Sequence, residues 1–190
     1  MRVLNVGGGT KAIPIPPFFA GWEHVLLDID PKGGADIVAD ARDLSSIPEH
    51  SFDAVYCSHN LEHYRRHEVE SVLRGFARVL KDTGFVHIRV PNAGRVMQQL
   101  VEKKADIEDV AYVAPCGPIM FHDILMGYGK EIAASGNDFF AHKTAFTPQL
   151  LGRVLQAAGF SQILIYIRDD IWEVESYAFV AGTPGIKYAV

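Results

Sequence analysis

The stretch RVLNVGGGT, residues 2–10, decides the fold. A short apolar run that stops abruptly at glycines reads as a buried strand followed by a tight turn. Here the strand covers residues 2–6 and the turn is Gly7, Gly8 and Gly9. Working outward, similar runs recur. HVLLDID (24–30) ends in acids and then Pro31, Gly33 and Gly34, and a short run at 36–39 leads to Asp40. FDAVYCS (52–58) and GFVHIRV (84–90) follow, the latter closed by Pro91.

Between the last two runs, Val69, Val72, Leu73, Phe76 and Leu80 recur at helical spacing, with Gly84 placed to end the helix. A second helix opens with Thr147 as N-cap and Pro148 at the first helical position, and Gly159 stops it. Two more strands are expected at 161–167 and 175–181, joined through Asp169, Asp170 and Ile171. Strands alternating with helices imply an α/β fold, a mostly parallel sheet with helices on both faces. The connection at 169–171 is too short for a parallel crossover, so the last of seven strands is expected to run antiparallel.

The 190 residues suit a single domain, 1–190. Residues 12–21 carry Pro14, Pro16 and Pro17 and cannot form a regular helix. Residues 93–145 hold one expected helix, at 94–103, and an irregular middle, as lids and substrate-binding insertions do. The chain begins almost on its first strand, so a cap over any site is expected from this insertion or from a second subunit.

A formal net charge of −5 argues against a nucleic-acid partner, because phosphate neutralisation needs clustered Lys and Arg. Cys57 and Cys116 have no metal-like spacing and read as free, buried thiols of a reducing compartment. There is no signal-peptide pattern and no apolar run long enough for a bilayer, so the expected location is cytoplasmic, with no membrane partner.

In an open parallel sheet, ligands bind at the carboxyl ends of the strands, where the glycine turn lies. About twenty residues on, Asp28 ends the second strand, where an acid can accept hydrogen bonds from ribose hydroxyls. Asp40 ends the third, within reach of an adenine amine, with the Ala41 backbone beside the ring nitrogens. Gly7-x-Gly9-x-x-Ala12 also fits a dinucleotide fingerprint, but that pattern needs a helix at once to hold a pyrophosphate. Prolines stand there instead, which favours a nucleoside ligand without phosphates.

LNVGGGT, LLDID, ADARDL, FDAVYCSHNLEHY and VLKDTGFVHIRVPN, in that order, resemble the class I S-adenosylmethionine-dependent methyltransferases. The resemblance is closest to small bacterial members with an "LEH" segment after the fourth strand. It implies a Rossmann-like methyltransferase fold and S-adenosylmethionine as cofactor. By that resemblance Gly7, Gly8 and Gly9 lie against the methionine part. Asp28 rather than Asp30 binds the ribose, and Ile29 packs on the adenine. Asp40 and Ala41 bind the adenine edge, and Ser58 and His59 line the pocket. Asn5 stands where the family usually has an acid, which keeps hydrogen bonding but loses charge.

His59-Asn60-Leu61-Glu62-His63 also reads H-x-x-E-H, a zinc-peptidase pattern. That reading needs a continuous helix, whereas this segment follows a strand end, so no metal ligands are assigned and Glu62 is expected in a capped turn with satisfied polar groups. Methyl transfer to a hydroxyl or amine calls for orientation and a base, and histidine suits the latter. His63 and His142 are the candidate catalytic residues. The expected function is methyl transfer to a small molecule or saccharide precursor, with a homodimer as the expected assembly. The alternative is a non-catalytic binding protein on a degenerate methyltransferase scaffold.

Overall fold

Strand β1 (Arg2–Val6) is buried over four of its five residues and lies between two parallel neighbours, β2 (Glu23–Asp28) and β4 (Phe52–Ser58). A strand buried on both faces reads as a continuous apolar run, which is what the sequence shows there. The computed structural model describes residues 1–114, 116–182 and 185–189. Outside β2 lies β3 (Ile37–Val38), and beyond β4 lies β5 (Leu80–Pro91), both parallel. Register is level across the centre: Val6 pairs with Leu27 and with Cys57, and Ser58 with Arg89. The carboxyl ends of four strands therefore form one edge, with Gly7, Asp28 and His59 on it.

The remaining strands are a small hairpin, β6 (Val110–Ala114) with β7 (Gly117–Met120), and three at the far side of the sheet. Those are β8 (Gln162–Arg168), β9 (Glu173–Phe179) and β10 (Gly185–Ala189). β9 is antiparallel to both β5 and β8, as its short connection requires. Among the described residues the main sheet has eight strands, not seven, in the order β10-β8-β9-β5-β4-β1-β2-β3. The extra strand pairs parallel to β8. Its sequence signal is only the alternation Ile186-Lys187-Tyr188, whose outer members pack on Gly152.

Among the described residues five α-helices accompany the sheet: α1 (Val69–Val79), α2 (Ala93–Lys103), α3 (Phe121–Met126), α4 (Gly129–Ser135) and α5 (Pro148–Ala157). α1 presents Val69, Val72, Leu73, Phe76 and Val79, all fully buried, while Arg74 and Glu70 pair at 2.7 Å on its other side. It packs with α5 over one face of the sheet. Gly84 does not end α1. The strand starts directly at Leu80, and Gly84 sits inside β5 where a side chain would press on the carbonyls of Lys81 and Asp53 beside a break in register. Thr147 caps α5 as expected, its Oγ1 accepting from Leu150 N at 3.2 Å.

The proline stretch forms a turn with a short 3-10 segment, Pro17–Phe19. Phe19 is buried against Trp22, Tyr56 and Phe85, so aromatic side chains cover this part of the other sheet face in place of a helix. Residues 93–145 are more regular than expected: α2, the β6–β7 hairpin, α3 and α4 follow one another. Cys57 is buried, as expected, but Cys116, which precedes β7, is exposed. No helix of the described residues is long and apolar enough to cross a membrane.

Two stability predictions follow from this packing. Thr147→Ala removes the α5 cap and lowers unfolding free energy by about 0.5–2 kcal/mol, read by urea titration. His87 is 1% exposed with Nδ1 unpartnered. Burial lowers its proton affinity more than its partner Glu175 raises it. A depressed histidine binds protons more readily unfolded than folded, so its share of stability is complete above the unfolded value near 6.5 and drains away below it. The loss of stability on going from pH 7.5 to 5.5 should be smaller in His87→Gln, which can still donate to Glu175.

Candidate active site

Because the register is level, each strand delivers its last residues to the same edge. Gly7 leaves β1 with φ +71°, and a side chain there would collide with the Asn60 amide. At Gly8 a Cβ would fall on the Asn5 side chain. Both positions need glycine for close approach rather than for looseness. Asn5 is 3% exposed, and its Nδ2 donates to His24 Nε2 at 3.2 Å. Burial and the nearby Lys11 lower the proton affinity of His24, in keeping with its acceptor role there.

Asp28, also buried, accepts from Gly9 N through Oδ2 and from Asp30 N through Oδ1, each at 2.9 Å. Asp30 is engaged elsewhere, accepting from Lys32 N. Asp40 accepts from Arg42 N and Nε at 2.9 Å, and the same guanidinium reaches Glu68 at 3.0 Å. Hydrogen bonding to Arg42 holds the Asp40 carboxyl below the usual range.

Two cavities flank Gly7. The first, about 240 Å³, is lined by Asp28, Ile29, Asp40, Ala41, Asn60 and His63 among others. The second, about 320 Å³, is lined by Asn5, Gly7, Gly8, Gly9, Ser58 and His59. The expected cofactor residues thus divide between adjoining pockets, the acids on one side of Gly7 and the glycines on the other. A third cavity of about 170 Å³ lies beyond His59 and is walled by Tyr112, Tyr128, Trp172, Asp123, Glu173 and His142.

His59 joins the second and third cavities. It has φ +49°, a left-handed backbone that costs a non-glycine residue about 1–2 kcal/mol. Its Nε2–H donates to Glu173 Oε1 at 2.9 Å, and its Nδ1 lies 3.6 Å from Glu62 Oε1. The ring keeps an exposed face, and the partial desolvation of the rest works against its charge, but the bond to Glu173 and the nearness of Glu62 outweigh that and raise its proton affinity well above the ordinary histidine range. Arg89 completes the chain, donating to Glu173 at 2.7 Å.

The segment 61–63 is a single 3-10 turn, so the zinc-peptidase arrangement, which needs both histidines on one helix, does not form. Glu62 is also unlike the satisfied turn residue expected. It is 1% exposed, and neither carboxylate oxygen has a hydrogen-bond partner among the described residues. His142 Nε2 lies 3.9 Å from Oε1, and the His63 and His142 rings meet edge to face at 4.9 Å. The structure thus brings His63 and His142 together from opposite ends of the segment that separates them in sequence. Asn60, Tyr64, Arg42, Glu173 and Trp172 line the cavities without having been singled out from sequence.

Residues 4–88 match the family described as a methyltransferase domain. This stretch is similar to a methyltransferase domain, and the whole chain has the Rossmann-like methyltransferase fold. The fold is shared with solved methyltransferases. A SAM-dependent methyltransferase from Archaeoglobus fulgidus is 18% identical, covering 93% of this chain and 85% of that one, with a TM-score of 0.57. Another from Methanosarcina mazei is 16% identical, covering 95% and 93%, with a TM-score of 0.57. The 1,6-didemethyltoxoflavin-N1-methyltransferase of Burkholderia thailandensis, solved with S-adenosylhomocysteine, is 14% identical, covering 93% and 69%, with a TM-score of 0.55. No curated protein matches the chain in sequence.

The glycine turn yields a direct check of this methyltransferase edge. Gly7→Ala combines a left-handed backbone with a collision at Asn60, and is expected to weaken binding of S-adenosylhomocysteine at least about 10-fold, equivalent to 1.4 kcal/mol, by calorimetric titration.

Proposed function

We propose that this protein transfers a methyl group from S-adenosylmethionine to a small molecule or saccharide precursor in the cytoplasm. The observation that carries the reading is the pair of cavities on either side of Gly7, meeting a third at His59. A nucleoside fits the first cavity, where Asp28 offers its remaining lone pairs to ribose hydroxyls, Ile29 packs on the base, and Asp40 and Ala41 face the base edge. The amino-acid end fits the second, where Asn5 and the glycine turn present amide groups and Ser58 and His59 form the wall. Such a cofactor, when bound, supplies a methyl already activated by a positively charged sulfur.

The third cavity is the acceptor site in this reading. Tyr112, Tyr128 and Trp172 give it flat apolar walls, and Asp123 and Glu173 can accept hydrogen bonds from hydroxyls or amines. Its size suits a sugar or small ring, and the net charge of −5 disfavours a nucleic acid. Residues 93–145 act as the lid: Phe139 and Lys143 line the cofactor side, while Tyr112, Ile124 and Tyr128 line the acceptor side.

His142 is the base of this proposal, with His63 beside it. His142 Nδ1–H donates to the Ile124 carbonyl at 3.0 Å, which leaves the Nε2 lone pair free at the acceptor cavity. Nε2 would take the acceptor's proton as the acceptor attacks the methyl group that the cofactor would supply. The exposed free thiol of Cys116 suits a reducing compartment.

Calorimetric titration with S-adenosylmethionine should show saturable binding that Asp28→Ala weakens by about 1–3 kcal/mol. His142→Gln should leave that affinity unchanged and lower kcat about 10²–10⁴-fold. Folded protein that binds no cofactor would overturn the assignment. Binding with no turnover over a broad acceptor panel would return the non-catalytic scaffold to first place.

A further inference from the structure

Glu62 poses the sharpest physical problem in the molecule. A carboxylate at 1% exposure with both oxygens unbonded bears a desolvation cost that native structures rarely leave uncompensated. His59 answers only part of it, since Nδ1 stands 3.6 Å from Oε1 and no described donor reaches Oε2. Around this carboxylate stand two imidazoles whose nitrogens come within 4.8 Å of it and of each other.

We propose that Glu62, His63 and His142 form a binding site for one divalent transition-metal cation of the zinc class. Two imidazole nitrogens and one carboxylate oxygen are a donor set for zinc or iron(II) and a poor one for magnesium, which prefers oxygen alone. Ligand atoms held at 2.0–2.2 Å from such a cation lie about 3–4 Å apart, so the three side chains need only close in by about an ångström. The outer shell is already in place. His142 Nδ1–H is held by the Ile124 carbonyl, which directs Nε2 inward. His63 faces the Ala141 carbonyl with Nδ1 at 3.1 Å and the His59 carbonyl with Nε2 at 3.2 Å, so a neutral ring can donate to only one of them and keeps a lone pair on its other nitrogen for a cation.

The position adds a functional consequence that rests on the proposed methyl transfer. His142 lines the acceptor cavity and His63 lines the cofactor cavity, so the cation would sit where the two approach. A bound cation would occupy the Nε2 lone pair of His142 and take over its part: His142 would be the base only in the metal-free protein, and in the loaded protein the cation would instead make the acceptor's proton acidic enough to pass to solvent. The ligands also belong to separate segments, already tied by Lys143 N and Thr144 N donating to the Glu62 carbonyl at 2.8 and 3.0 Å. A shared cation would pin the end of residues 93–145 to the turn after β4.

The test uses the full chain stripped with a chelator and titrated calorimetrically with Zn²⁺, then with Mg²⁺, alongside thermal unfolding. The expected result is one Zn²⁺ per chain, a raised Tm, and no Mg²⁺ binding. Glu62→Gln and His142→Asn should each weaken Zn²⁺ at least about 100-fold, since even outer-shell losses reach 10–100-fold. Should either variant fail to fold, the other and His63→Asn carry the test. Absence of Zn²⁺ binding, or an affinity that the folded variants retain, would overturn the site. S-adenosylmethionine titrated into the same stripped protein separates the two readings: cofactor binding without cation binding sinks this inference alone.

Discussion

The carboxylate of Asp28 is the clasp on which the rest of the site depends. It joins the amide of Gly9 to that of Asp30 at 2.9 Å each, so the turn after β1 and the turn after β2 share one anchor. Parallel pairing of β1 with β2 puts the two turns at the same height, and the acid converts that proximity into a fixed relation. A buried carboxylate that accepts two backbone amides offers only its remaining lone pairs outward, in one direction, toward the cavity it lines. The glycines matter for the same reason. They allow Asn60 and Asn5 to approach the loop from β4 and β1, so the turn is packed from beneath as well as clasped from the side.

Much of this was legible because it is local. The apolar runs that became β1, β2, β4 and β5 are each bounded by punctuation that the chain supplies within a few residues. Thr147-Pro148 announces α5 by the same chemistry that caps it. The acids at strand ends could be placed because the strand itself sets their height. Where the local signal was thin, the reading failed. Gly84 looks like a helix stop, but register with β4 draws the chain from Leu80 straight into the sheet. β10 has two alternating side chains for a signal, and what makes it a strand is the open edge of β8 and the bare surface of α5 at Gly152.

The acceptor side was the least legible part, and the reason is sequence separation. His59 meets Glu173 across 114 positions and His63 meets the Ala141 carbonyl across 78, so no motif window contains either pair. Trp172 enters the same cavity from the β8–β9 connection on a left-handed backbone. The H-x-x-E-H string shows how spacing can mislead in both directions. Its helical interpretation fails, because the chain is still turning out of β4. Yet two of its five residues do converge with a histidine, one brought from the other end of the insertion.

The charges at this edge also bear on how a cationic ligand would be received beside the neutral Asn5, at the position where the resemblance leads one to expect an acid. A negative charge at the end of β1 is one way to favour a sulfonium, but position matters less than the sum of nearby charge in a partly desolvated site. Asp28, Asp40, Glu62 and Glu173 all stand along the same edge, and only some of their charge is met by Arg42, Arg89 and His59. Asn5 meanwhile spends its amide on His24, and a carboxylate in that buried place would lose the bond to an imidazole that accepts. The neutral residue is therefore the one that fits the packing beneath the glycine turn, and the attraction for a positive ligand resides in the acids around it.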